Sequence, residues 1–108
     1  MTPDDIARGL SPAQRVTHDL KTWPAYWDAV QSGAKNFEVR RDDRGFQRGD
    51  IVRLHRYDPA YGAGYSSKHL YPPIEREIAY VLTGGQFGIE PGYVVLGLAV
   101  REALKGME

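Results

Sequence analysis

Gly33-Ala-Lys-Asn-Phe-Glu-Val-Arg-Arg-Asp-Asp-Arg-Gly-Phe-Gln-Arg-Gly-Asp-Ile-Val-Arg-Leu-His-Arg56 is the stretch whose reading decides the fold. Successive strand residues point to opposite faces, so Glu38 and Arg40 share one face while Phe37 and Val39 share the other. This pattern predicts a half-buried strand, with the apolar row anchored in the core and the charged row left open for recognition. Lys35 stands just ahead of that row. Gly45 and the pair Gly49-Asp50 are turn signals, and a second alternating segment begins beyond them. The unit reads as strand, turn, strand, with its charged face presented to whatever the protein binds.

On the C-terminal side, Asp50 to Tyr57 is the next expected strand. Asp58 to Pro73 is a long loop rich in tyrosine and glycine, of the length that is usually either functional or mobile. Ile74 to Leu82 is read as a strand, with Ile74, Ile78, Tyr80 and Leu82 on one face and Glu75, Glu77, Ala79 and Val81 on the other. Thr83 to Gly92 is a second glycine-rich loop, lacking the lysine and hydroxyl of a phosphate loop. Tyr93 to Val100 is the most apolar run in the chain and is expected in the sheet interior.

On the N-terminal side, Thr22-Trp23-Pro24 is a helix start, with Thr22 as the expected cap and Pro24 in the first turn. Trp23, Tyr26, Trp27 and Val30 recur at helical spacing as a stripe for the core, and Gly33 supplies a left-handed stop. Arg15 to Lys21 alternates as a first strand, with Val16, His18 and Leu20 on one side. The expected organisation is a loosely ordered arm at 1–14, one domain at 15–101 and a tail at 102–108.

A chain of 108 residues holds one compact domain. Twelve glycines and seven prolines argue against a helical bundle. The absence of cysteine excludes disulfides and thiolate metal sites. The three histidines have no ligand spacing, so neither a metal nor a cofactor is expected. No long apolar run or leader pattern is present, which gives a cytoplasmic protein with no membrane partner as the expectation. The formal charge is zero, yet residues 35–56 are locally basic, which suits a small anionic footprint rather than broad adhesion to a duplex. One helix packed on a mostly antiparallel, nearly closed small β-barrel is the economical α+β solution.

The motif Gly33-x-Lys35-x-x-Glu38-x-Arg40 resembles that of the ASCH domains, a branch of the PUA-like superfamily of small pseudo-barrels associated with RNA metabolism. The likeness extends to short phage and bacterial proteins of undetermined function in that superfamily. It runs through His18-x-Leu20-Lys21, Lys35-x-Phe37-Glu38-x-Arg40 and Asp43-Arg44-x-Phe46-x-x-Gly49-Asp50. It continues through Gly84-Gly85-x-Phe87-Gly88-Ile89 and Gly92-Tyr93-Val94-Val95-Leu96-Gly97-Leu98, covering about Val16 to Leu98. The resemblance implies a PUA-like β-barrel with a cleft lined by the signature strand. Some ASCH proteins are amidohydrolases that remove acyl groups from the exocyclic nitrogen of cytidines, using the signature lysine, a threonine three residues later and a distant glutamate. Here Glu38 stands at the threonine position.

Two functions are therefore carried forward. The first is a module binding RNA or a nucleotide, with a base or phosphate held by His18, Lys21, Trp23, Lys35, Glu38, Arg40, Gln86 and Phe87. The second is a small amidohydrolase acting on N4-acylated cytidine or a related nucleoside. In it Glu38 acts as general base, Lys35 as oxyanion stabiliser and Glu77 as a second carboxylate.

Overall fold

The computed structural model describes residues 15–100. The arm expected at 1–14 and the tail expected at 102–108 lie outside the described residues. Within them the order is β1 (Thr17–Thr22), α1 (Pro24–Ser32), β2 (Phe37–Arg41), β3 (Ile51–Arg56), β4 (Ile74–Thr83) and β5 (Tyr93–Ala99). The strands form one sheet in the order β1-β3-β4-β5-β2. β1 runs parallel to β3, and the other three pairings are antiparallel. The sheet is strongly curled into a half-barrel that carries the helix, the α+β barrel-like fold expected from the element order.

Helix α1 begins with Pro24 at its first position, where the missing amide hydrogen costs no bond. The cap residue is Trp23, which makes no side-chain cap hydrogen bond, and not Thr22 as expected. Thr22 instead ends β1, and its hydroxyl accepts a bond from Arg40. Gly33 closes the helix at φ 85°, a left-handed conformation in which a side chain would be strained. Trp27 and Val30 are buried against the sheet. The Trp27 indole donates to the Leu54 carbonyl at 3.0 Å, and Arg56 forks onto Asp28 at 3.0 and 3.2 Å, so both tie α1 to β3. Trp23 and Tyr26, expected in the same buried stripe, are more than half exposed. Trp23 is still extended at the cap and so lies off the helical face, while Tyr26 sits at the edge of a stripe only two residues wide.

The core consists of Leu20, Trp27, Val30, Phe46, Val52, Leu54, Ile74, Ile78, Val94 and Leu96. Burying each large apolar side chain contributes about 1.5–3 kcal/mol. Phe46 reaches this core from the β2–β3 connection. In β4 the register slips between Ile78 and Tyr80. This bulge reverses the alternation beyond it, so Tyr80 turns outward and Val81 packs against the core. Tyr80 was expected on the same face as Ile78.

The largest correction concerns β2. Glu38 and Arg40 pair across the ladder with Leu96 and Val94, both fully buried, so the charged row faces inward. Phe37 and Val39 face outward and are about half exposed. The inversion is possible because β1 and β2 are the two edges of the curled sheet. The inner face of β2 therefore meets an open seam rather than packed side chains. Across that seam the Arg40 guanidinium donates to the Lys21 carbonyl at 3.0 Å and to the Thr22 hydroxyl at 3.2 Å. A side-chain clasp thus joins two edges that share no backbone ladder, covering groups that would otherwise invite edge pairing. Among the described residues no helix is long and apolar enough to cross a membrane.

Candidate functional site

The seam opens into a cleft of about 600 Å³. The end of β1 supplies Lys21 and Thr22, the start of α1 supplies Trp23 and Tyr26, and the following turn supplies Lys35. β2 contributes Phe37, Glu38, Val39 and Arg40. The Lys35 amide donates to the Ala29 carbonyl at 3.0 Å, which fixes the turn against the helix.

Glu38 forms the floor and is only 3% exposed. One carboxylate oxygen accepts from Lys35 Nζ at 2.7 Å, and the other accepts from Arg40 Nε at 2.9 Å. A carboxylate taken out of water is stable only when its charge and lone pairs are matched. Two cations meet one anion, so the floor carries a net positive charge. Lys35 also donates to the Phe37 carbonyl at 2.6 Å, leaving one of its three N–H donors for a ligand. Arg40 Nη1 has no partner among the described residues and is likewise available.

The rings of Trp23, Tyr26 and Phe37 also line the cleft at its exposed edge. Lys35 Nζ lies 5.6 Å from the Tyr26 ring centroid and 4.8 Å from that of Phe37. Aromatic faces above a cationic floor can stack on a planar ring and donate to acceptors on its edge.

The structure thus brings together Lys21, Trp23, Lys35, Glu38 and Arg40, and it places the other expected site residues elsewhere. His18 is buried in the interior, 3.0 Å from Asp50 Oδ2 and with its ring 4.7 Å from that of Phe46. The Gln47 amide donates to the same Asp50 oxygen, so this pair organises the turn before β3. Glu77 accepts from Arg15 at 2.6 Å and does not line the cleft. Gln86 turns back to donate to the Thr83 carbonyl and hydroxyl of its own hairpin. Phe87 is 84% exposed at φ 52° and does not line the cleft.

Thr22, Tyr26, Phe37 and Val39 line the cleft although their pattern pointed to capping or core. Local spacing carries no information about where the two sheet edges meet. Near the cleft, Asp19 is held below the ordinary aspartate range, chiefly by its hydrogen bond with His55 at 2.8 Å. Partial burial opposes that effect, and the nearby Arg53 adds to it.

Residues 17–98 match the family described as Domain of unknown function (DUF3850), and the chain belongs to that family. It is also similar to a protein of Escherichia phage P2 described as an uncharacterized 12.9 kDa protein in the GpA 3' region. The two are 40% identical over 40 residues, a stretch covering 37% of each.

Proposed function

We propose that this DUF3850 protein is a binding module of the ASCH and PUA-like kind that holds a base of RNA or of a nucleotide in its seam cleft. The observation that carries this reading is the buried Glu38, paired with both Lys35 and Arg40 beneath an exposed aromatic rim. Glu38 orients the two cations, and their remaining N–H groups meet carbonyl or ring-nitrogen acceptors on the base edge. Trp23, Tyr26 and Phe37 supply stacking surface, worth about 1–3 kcal/mol per base in single-strand binders. Lys21 stands at the mouth, where a phosphate would approach.

An amidohydrolase acting on N4-acylated cytidine fits the same cleft less well. Both Glu38 oxygens already accept hydrogen bonds, so Glu38 would have to release Lys35 or Arg40 before activating water. Glu77, the other candidate carboxylate, is engaged by Arg15 away from the cleft. Incubation with N4-acylated cytidines followed by chromatography is expected to show no cytidine formed.

The binding reading is tested by titrating short single-stranded RNA while following tryptophan fluorescence, since Trp23 is exposed at the rim and Trp27 is buried. Quenching is expected, and Lys35→Ala should weaken binding about tenfold or more through loss of a charge-assisted donor. Affinity should also fall with added salt. Binding that is absent, or indifferent to both changes, would refute it.

A further inference from the structure

Arg40 and Lys21 line not one cleft but two. On their other side lies a second cleft of about 390 Å³, formed with Asp19, Arg44, His55, Tyr65 and Lys68. Its lining sets four side-chain cations, Lys21, Arg40, Arg44 and Lys68, against the single carboxylate of Asp19. That carboxylate is already taken, by His55 at 2.8 Å and Arg53 at 3.3 Å.

Lys21 and Lys68 are the telling pair. Their ammonium groups each lie 5.8 Å from the centroid of the same Tyr65 ring, and Lys21 is also 4.7 Å from that of Tyr57. Neither lysine has an acidic partner among the described residues. Both lysines line this cleft without a counter-charge of their own, and an anion held in it would be attracted to both. Arg44 is positioned by donating to the Asp19 carbonyl at 2.9 Å and pairs with the exposed Asp43 only at 3.7 Å, which leaves other guanidinium N–H groups for the cleft.

We infer that this second cleft is a phosphate subsite, continuous with the base cleft through Arg40 and Lys21. The inference rests on the base-binding reading above and narrows it, since the ligand is then a phosphorylated nucleoside or a strand's sugar–phosphate backbone rather than a free nucleoside. Arg40 lines both clefts, with Nε donating to Glu38 and Nη2 donating to the Lys21 carbonyl across the seam.

The test compares cytidine, cytidine 5'-monophosphate, cytidine 3'-monophosphate, the dinucleotide CpC and inorganic phosphate. Each is titrated by NMR into the wild-type chain, Lys68→Ala and Arg44→Ala. At least one phosphorylated ligand is expected to bind about tenfold or more tightly than cytidine. Lys68→Ala should erase most of that gain, and the tightest ligand tells whether the phosphate belongs to a mononucleotide or to a strand. Inorganic phosphate alone should shift the signals of Lys21, Arg44 and Lys68.

If cytidine binds but a phosphate adds nothing, or adds as much in both variants as in wild type, the subsite is overturned while the base cleft stands. If cytidine does not bind but inorganic phosphate still shifts those three residues, the base reading falls and the phosphate site stands. If inorganic phosphate moves none of the three and no phosphorylated ligand exceeds cytidine, the subsite is refuted outright.

Discussion

Replacing Arg40 by alanine removes the clasp that joins the two sheet edges, and its cost can be worked from the contacts. The guanidinium donates to Glu38, to the Lys21 carbonyl and to the Thr22 hydroxyl. Removing one partner from a buried ion pair costs about 3–5 kcal/mol, mostly because the other charge is stranded. Here Lys35 still contacts Glu38, and Arg40 is itself 24% exposed, so water can replace part of what is lost. A destabilisation of about 2–3 kcal/mol is therefore expected, between the value of one charge-assisted hydrogen bond and that of a fully stranded charge. Urea unfolding followed by circular dichroism measures it. For a domain this small each kcal/mol also lowers Tm by about 4–8 °C. The decisive arm is the double-mutant cycle with Glu38→Gln. Once the buried charge is gone, losing Arg40 should cost less, with a coupling of about 1–2 kcal/mol. If Arg40→Ala costs under about 0.5 kcal/mol, or the same amount in both backgrounds, the clasp is not what holds the seam.

Three further outcomes follow from the same contacts. Asp50→Ala strands the buried His18 and the Gln47 amide and should cost about 1–3 kcal/mol for each group left unsatisfied, read from the urea midpoint; a loss below about 1 kcal/mol would show the pair to be incidental. A Cβ at Gly84 would overlap the Glu90 and Tyr93 carbonyl oxygens, so Gly84→Ala should cost about 1–3 kcal/mol and disturb the β4–β5 amide signals. Asp19 should titrate below the ordinary value of about 3.9 and move up toward it in His55→Ala, as followed by carboxyl-carbon NMR. Because its folded value is depressed, its contribution to stability is present above the ordinary value and fades as pH falls through the folded one. His55→Ala should flatten that acid dependence.

Strand and turn positions were legible because alternation and glycine are local signals. Gly33 had to stop the helix, Phe46 had to return to the core, and the runs in β3 and β5 had no other economical place. The orientation of β2 was not legible. Period two tells which residues share a face, and the assumption that Phe37 and Val39 face inward came from average burial rather than from this chain. It failed because β2 is a sheet edge beside an open seam, where Glu38 and Arg40 find charged and polar partners inside. Thr22 shows the same limit in another form. Its spacing suited a cap, yet a contact 18 residues away in sequence claimed its hydroxyl. In β4, a bulge reversed Tyr80, and the glycine at the slip, Gly97, lies on the partner strand rather than in β4 itself. In the cleft, spacing placed Glu38 and Arg40 on one face, while Lys35 joined them only through the motif resemblance. Its aromatic rim was not, because the rim forms only where α1 and β2 meet.

The most direct measurement is amide chemical-shift mapping on the whole chain during titration with a short cytidine-containing single-stranded RNA. Ligand in the seam cleft should move Thr22, Trp23, Tyr26 and the amides from Lys35 to Arg40, and Lys35→Ala should suppress the changes. Shifts confined to another surface, such as the exposed Phe87 hairpin, or no shifts at saturating RNA, would contradict the seam as the binding site.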